Sequence, residues 1–599
     1  MNGFLRLSLW AGLSLTTVPA LAGPDLTYTV TIAPNQEDVF RVKLAVKGLS
    51  KQQGIYQFAA TAPGTYQVMD MGRYVRKFEA FDKKGKLLPS KQLSTNQWQL
   101  DEPEKIREIR YDIAETWDTP VTEHDIMRMC GSSLEADHAL LNGQTVLGYP
   151  QGLQAEPLKL KLEYPAGWKV GTVLVPDAKG YYQLKSYDHA VDSPILLGRL
   201  TEASTKVGDA DVILYSYSQT DVVQAKPLLD QMQKMLGAAQ AFLGGQLPVK
   251  RYAFLYHFQD RDNGAWEHSY SSEYVLKERP LTPEFVQEIT DMAAHEFFHI
   301  VTPLNIHSEI IEHFNFVQPT GSEHLWLYEG VTEWASHTMQ LRSGLIPLDK
   351  YLSTLHDKVL YDRTRADTTY SLSKLGLNSF SDEGQQQYGN IYQRGALTAT
   401  LLDLRLLQLS GGKRGLRDVL IELTKKYGPD KPISEKTFFQ DFTSLTYPEI
   451  GDFLRRYVQN AEPLPYQEYF GWVGIRYRPS VSTGRQVSLL GSGFAMPQNT
   501  LQLRRVGPEL RACGVEEGDE PVSIMGQPVQ PETLRQLFGT IMATAPGTEY
   551  ELVVRRAGVE KKIKCRLVGQ PEVYRFIFEP DPSATPAQLA LRQAWLKNL

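Results

Sequence analysis

The sequence predicts a multidomain protein with three folded parts. These are a β-rich N-terminal domain, a central α+β domain whose second half is mainly helical, and a small β domain near the C-terminus. Three observations carry this. A chain of 599 residues is long enough for three or four domains with separate cores. Apolar residues alternate with period two in segments before residue 200. From Val331 onward they recur mostly at helical spacing. Hydrophobic content of 42% and charged content of 22% are ordinary for globular protein. A formal charge of −6 with no basic run gives no sign of nucleic acid as a partner.

Residues 1–22 are expected to be a signal peptide. Asn2 to Arg6 form a short n-region, Leu7 to Val18 an apolar core, and Ala20-Leu21-Ala22 a small-residue cleavage site. The run is too short to span a membrane, and no later stretch reaches that length. The expectation is an exported protein, periplasmic or secreted. Only Cys130, Cys513 and Cys565 are available for an oxidising compartment. Cys513 and Cys565 either pair or stay as free thiols, and the sequence leaves both open.

Residues 23–204 form the β-rich domain, with Leu26 to Ile32, Phe40 to Val46 and Leu158 to Leu162 alternating as strands. Residues 205–463 are expected to form the central domain. It opens with a helix near Val222 to Leu243 and a strand at Tyr252 to His257. Ala396 to Leu409, Leu416 to Tyr427 and Glu435 to Ser444 then read as helices with apolar faces.

Within that domain, His295-Glu296-Phe297-Phe298-His299 has the form of a zinc site. Histidines four apart on a helix leave the same face and can reach one ion. Glu296, beside them, can take a proton from the attacking water. Thr282-Pro283-Glu284 reads as the helix start, and Pro303 as its stop. A catalytic zinc needs a third protein ligand. Asn305 and Thr302 stand where a metzincin has histidine and glycine, which excludes that class. Glu309, Glu312, Glu323, Glu329 and Glu333 are the acidic candidates. Glu329 is preferred because it sits in an aromatic-rich run, Leu325 to Trp334, that could pack a helix beside the first. Glu333, one turn on, reads either as a hydrogen-bond partner for a ligating histidine or as an exposed carboxylate.

The combination resembles the M61 metallopeptidases, the glycyl-aminopeptidase group of the gluzincins, related to the M1 aminopeptidases. Trp326, Glu329 and Gly330 match the family's W-x-x-E-G, whose glutamate is the third zinc ligand. Gly264-Ala265-Trp266-Glu267-His268 resembles its G-G-x-E-H segment. The resemblance implies substrate binding there, with Glu267 receiving the free α-amino group. Tyr392-Gln393-Arg394-Gly395-Ala396-Leu397 resembles Y-x-K-G-A-L, which implies that Tyr392 donates to the oxyanion, with Tyr388 the fallback. Taken alone, Tyr392 would more commonly be a packing aromatic. Ala62-Pro63-Gly64-Thr65-Tyr66 resembles the P-G-S-Y segment of the family's N-terminal domain, implying a β-sandwich-like fold that shapes the cleft rim. The central domain is then expected to be thermolysin-like. Ile300 to His307 and Arg394 depart from the family pattern.

Residues 467–570 read as a PDZ-like domain. Gly491-Ser492-Gly493-Phe494 resembles the carboxylate loop and Gly514 to Asp519 the turn before a strand at Pro521 to Ile524. Pro531 to Met542 would be the groove helix, followed by a strand from Gly547 to Arg555. Such a groove takes a peptide or protein C-terminus as an added strand, unless the domain serves only for packing. Residues 571–599 are a tail ending in a helix.

The whole reading is a Zn2+-dependent aminopeptidase acting on peptides, with His295, His299 and Glu329 as ligands. Glu296 and Tyr392 are the catalytic pair, and Glu267, Gly264 and Ala265 bind substrate. A preference for small first residues is implied by the resemblance. The rivals are an endopeptidase on the same scaffold and a catalytically silent peptide-binding protein.

Overall fold

Alternation of apolar and polar residues builds the N-terminal sheet. Asp25–Thr31 buries Leu26, Tyr28 and Val30 and turns the intervening side chains outward. In the computed structural model, which describes residues 24–34, 37–260, 264–497, 500–597 and 599, this strand lies inside a seven-stranded sheet. It pairs antiparallel with Val39–Lys47 and parallel with Leu158–Glu163. The expected signal segment, 1–22, lies outside the described residues. Two four-stranded sheets complete the β-rich region. Two of its buried tyrosines, Tyr28 and Tyr56, both donate to the Gly148 carbonyl at 2.8 Å.

The hydrophobic core of this region does not stop at residue 204. It continues through Tyr217, Leu255, Trp266, Val275 and Phe316. The boundary expected at 204/205 cuts the strand Thr201–Val207, which pairs along its length with Ala210–Ser218. The N-terminal and catalytic regions accordingly form one compact unit: Met1–Tyr351, Ala366–Leu464 and Gln593–Leu599.

The catalytic sheet has five strands, in the order Thr201–Val207, Ala210–Ser218, Arg251–Gln259, Ser271–Lys277, Gly264–His268. Its three middle strands are parallel, and both edge strands are antiparallel to their neighbours. Arg251–Gln259 is buried on both faces, so it carries a continuous apolar run instead of an alternation. Gly264–His268 is the edge, and that leaves one side of its backbone for an added chain.

Helices follow: Ala225–Phe242, Pro283–Phe298, Thr332–Arg342, Asn390–Leu409 and Leu416–Lys426. Thr282 caps the second through its hydroxyl, which accepts from the Phe285 N–H at 3.3 Å. Pro303 is not what stops this helix. It ends at Phe298 with His299 as its cap, because the next turns tighten to three-residue spacing, Ile300 N to Phe297 O and Val301 N to Phe298 O. Among the described residues no helix is long and apolar enough to cross a membrane.

The second unit comprises Leu352–Arg365 and Pro465–Arg592. It holds a four-stranded sheet, Gln527–Pro528, Glu520–Ile524, Glu549–Arg556 and Val559–Arg566, with the helix Leu534–Ala543. Leu503, Leu510, Leu537, Ile541, Leu552 and Val554 form its core. Val568–Pro580 runs straight through residue 570, where a tail was expected to begin. It pairs antiparallel with Ile475–Leu489 from Val568↔Leu489 to Pro580↔Ile475, with a bulge near Ser482. The three cysteines are free thiols.

Candidate metal centre

The helix Pro283–Phe298 and its cap turn His295 and His299 to one side, ring centroids 4.9 Å apart. Glu329 comes from Trp326–Val331, a π-helical turn that leads into the helix Thr332–Arg342. Its Oε2 lies 3.4 Å from His295 Nε2 and 3.7 Å from His299 Nε2. The three ligand atoms all fall within 4.8 Å of one another, and all three residues are buried.

The far nitrogen of each ring is already engaged. His295 Nδ1 is 2.8 Å from Glu333 Oε2, and Glu333 Oε1 is 3.1 Å from His337 Nε2. His299 Nδ1 donates to the Thr302 carbonyl at 3.0 Å. These bonds fix both rings and leave the Nε2 atoms facing Glu329, as metal ligation requires. Glu333 is therefore no solvent-exposed helical acid; its side chain is only 16% exposed.

Tyr392 belongs to the helix Asn390–Leu409, and its ring lies 5.6 Å from that of His295. Its hydroxyl is 3.2 Å from that of Tyr388. Two glycines bring this helix against the turn that carries Glu329. A Cβ on Gly330 would stand 2.7 Å from the Gly395 Cα, and the converse holds as well. The glutamate-bearing turn and the tyrosine-bearing helix thus touch backbone to backbone.

Glu267 sits on the edge strand with its carboxylate against Gly64, where a Cβ would overlap Oε1. Gly64 has φ +80°, and Pro63 accepts a hydrogen bond from Trp266 Nε1 at 3.2 Å. Beside them Tyr66 packs at a tilt against Tyr388, centroids 5.4 Å apart, and its carbonyl accepts from Gln385 Nε2 at 2.7 Å. Sequence reasoning placed this loop at the rim. The structure brings Gly64 and Tyr66 into the site itself, and no local pattern could have paired residue 64 with residue 267. Gly264 and Ala265 line a cavity of about 620 Å³ with Glu296, His295, Glu333 and Tyr392.

The electrostatics favour a cation. Glu267, Glu296 and His299 also have donor atoms within 4.8 Å of one another. Burial, then Glu329 and Glu296, push the Glu267 carboxyl well up. Burial drives Glu296 up to about 8 against the opposing pull of His295, and it drives His299 down to about 4, toward the neutral imidazole that ligates metals. Buried carboxyls this crowded call for a positive charge among them. Two imidazoles with their outer nitrogens already bonded, and a carboxylate facing their inner ones, are a donor set that fits a divalent ion such as zinc. The Tyr392 phenol is raised well above 10, chiefly by burial and next by Glu329, so it stays a hydrogen-bond donor.

A family model described as the Peptidase M61 N-terminal domain matches residues 27–199, and one described as M61 glycyl aminopeptidase matches residues 288–398. A solved structure of an aminopeptidase N family protein from Idiomarina loihiensis superposes with a TM-score of 0.77 at 20% identity. That alignment covers 95% of this chain and 100% of the other. At that identity the likeness is one of fold. A second structure, an HtrA-type protease with a decapeptide, covers 17% of this chain and 33% of its own at 19% identity, and its TM-score of 0.13 carries no argument. No curated protein matches.

Proposed function

The chain belongs to the M61 peptidases and is a metallopeptidase, and on that premise we propose that it is a zinc aminopeptidase that hydrolyses the N-terminal bond of peptides. The observation that carries the reading is Glu267, a carboxylate on the edge strand with Gly64 packed over it, beside the His295–His299–Glu329 cluster. A carboxyl there, ionised once a cation lies beside it, pairs with an ammonium and so selects a chain terminus over an internal bond.

His295, His299 and Glu329 would hold the ion, which supplies Lewis acidity for the scissile carbonyl and a lowered pKa for the attacking water. Glu296 takes the proton of that water and returns it to the leaving amine. Tyr392, kept protonated by burial, donates to the developing oxyanion. Gly264 and Ala265 present edge-strand backbone along which the substrate chain can extend. The family's description, glycyl aminopeptidase, supports a small first residue such as Gly.

The export reading of residues 1–22 would place the enzyme in the periplasm or outside the cell. A PDZ-like groove in the second unit is supported by Phe494 and Phe538, which face each other at 5.5 Å between Gly493–Ala495 and Leu534–Ala543. A peptide C-terminus would add as a strand beside Gly493–Ala495, against the helix Leu534–Ala543.

The deciding experiment measures zinc content together with hydrolysis of matched free and N-acetylated Gly- and Ala-peptides, for the wild type and Glu296→Gln. Cleavage of free peptides alone, lost in Glu296→Gln while zinc stays bound, is the expected result. Cleavage of acetylated peptides would turn the reading to an endopeptidase.

A further inference from the structure

Two buried histidines face each other where the β-rich region meets the catalytic sheet. His138 opens the strand His138–Leu141, which pairs with Ile195–Gly198, and His257 lies on the middle strand Arg251–Gln259. Their Nε2 atoms are 3.0 Å apart. Neither belongs to the metal cluster. The neighbours fix where each hydrogen sits. His138 Nδ1 is 2.8 Å from Asp137 Oδ1, and a carboxylate only accepts, so Nδ1 carries the hydrogen. Asp137 also accepts from Arg199 Nε at 2.6 Å and from the Tyr217 hydroxyl at 3.2 Å. The neutral His138 ring then offers a lone pair at Nε2, and His257 Nε2 donates to it. That leaves His257 Nδ1 without a hydrogen, buried and with no hydrogen-bond partner. Trp117 stacks on His257 with centroids 4.8 Å apart, and Tyr217 covers His138 at 3.8 Å.

The contact has room for one hydrogen. A proton added to His138 sets two N–H groups against each other unless His257 moves its hydrogen to Nδ1. A proton added to His257 lands on Nδ1 directly. Either route puts an N–H where there is no acceptor, and a buried unpaired donor is costly. The surrounding charges add to the cost. Arg199 lies over Tyr217, which covers His138, and Arg128 lies over Trp117, which covers His257. Asp221 pairs with Arg199, and Asp260 is 3.9 Å from Arg128, so Asp137 is the carboxylate that touches the pair. Burial lowers both imidazoles. Arg199 adds to this at His138 against the pull of Asp137, and His138 and Arg128 add to it at His257.

We propose that the His138–His257 pair is an acid-sensitive lock between the β-rich region and the catalytic sheet, closed while both rings are neutral and opened by proton uptake at either. Imidazoles that take a proton less readily when folded give stability that is intact above the ordinary 6.5 and is lost as pH falls below it. The lock adjoins the edge strand. Arg128, which lies over Trp117, donates to Gln259 Oε1 at 2.8 Å, and the next residue, Met129, lies against Gly264. The segment that acid would release is thus the one that seats Gly264–His268.

The test compares the zinc-loaded full chain with His257→Gln. A glutamine donates to His138 Nε2 and, once its amide rotates, accepts from it, so it tolerates the added proton. Backbone hydrogen exchange, corrected for its intrinsic pH dependence, is read by mass spectrometry in peptides covering 129–141 and 251–259 at pH 7.5 and pH 5.5. Wild-type protection is expected to fall about 100-fold between the two, about tenfold for each imidazole. His257→Gln should lose at least one of those two factors. A wild-type fall of less than about tenfold, or an equal fall in the variant, would overturn the proposal. Hydrogen exchange at the imidazole C2 position reads the titration of each ring in the wild type, with no variant needed. Both rings should titrate below about pH 5.5, and titration of either above that would overturn the proposal as well.

Discussion

Gly330 and Gly395 meet with no room for a side chain on either, each 2.7 Å from where a Cβ on the other would stand. That contact joins the turn carrying Glu329 to the helix carrying Tyr392. An alanine in the middle of a helix normally stabilises, by about 0.5–1 kcal/mol relative to glycine. Here the sign should reverse. Gly395→Ala is expected to cost about 1–3 kcal/mol, because neither backbone can yield cheaply. Gly237, exposed in Ala225–Phe242 with nothing within 4 Å of its would-be Cβ, is the control, and Gly237→Ala should raise stability. Thermal melts of the two variants check both directions, and kcat of Gly395→Ala should fall as Tyr392 shifts.

Glu333 holds His295 by its Nδ1, so Glu333→Gln should loosen the metal and leave the chemistry intact. Metal affinity is expected to drop about 10–100-fold, with activity recovered in excess zinc. Competition against a chromogenic chelator measures this directly. An unchanged affinity would mean that the Glu333 contact does not orient the ring.

The two neighbouring tyrosines should separate cleanly. Tyr392→Phe removes the proposed oxyanion donor and should lower kcat by about 100–1,000-fold with little change in KM. Tyr388→Phe removes only a hydroxyl that contacts Tyr392 at 3.2 Å, so its effect should be much smaller. Steady-state kinetics on one free dipeptide substrate distinguish them. The opposite ranking would assign the donor role to Tyr388.

Asp188 links pH to stability. Burial pushes its carboxyl up from an ordinary 3.8 to about 6. A carboxyl that holds its proton more tightly when folded contributes stability that is present in full below about 3.8 and lost as pH rises through about 6. At pH 8 this charge should cost on the order of 1–3 kcal/mol. Asp188→Asn should therefore raise the melting temperature at pH 8 and change it little at pH 4, where both side chains are uncharged. Melts at the two pH values test this, and a gain of equal size at pH 4 would refute the linkage.

The features legible in the sequence are those whose cause is local. His295 and His299 share a face because helical geometry requires it, and Thr282 and Pro283 mark the helix start by their own chemistry. Glu329 and Glu333 lie within one short aromatic run. What stayed hidden depends on contacts between distant segments. Gly64 against Glu267, Gly330 against Gly395 and Asn142 against Glu273 each join positions that no spacing rule connects. The helix end was misjudged because proline is a conspicuous breaker, whereas the tightened turns after Phe298 leave no mark in composition. Val568–Pro580 was hidden for a related reason. Its partner lies about ninety residues earlier, and as a largely exposed ribbon it shows little alternation.

Met129 lies against Gly264, Pro63 accepts from Trp266, Asn142 Nδ2 donates to Glu273 at 3.1 Å, and Gly64 covers Glu267. All four reach the edge strand and its neighbour from the β-rich region. In evolutionary terms, the hydrolytic machinery and this region cannot be shuffled as separate modules. A gene fragment beginning at the helix Pro283–Phe298 would carry the proposed metal ligands without the surface that, on the proposed reading, admits the peptide's amino end. Selectivity and chemistry must therefore be inherited together.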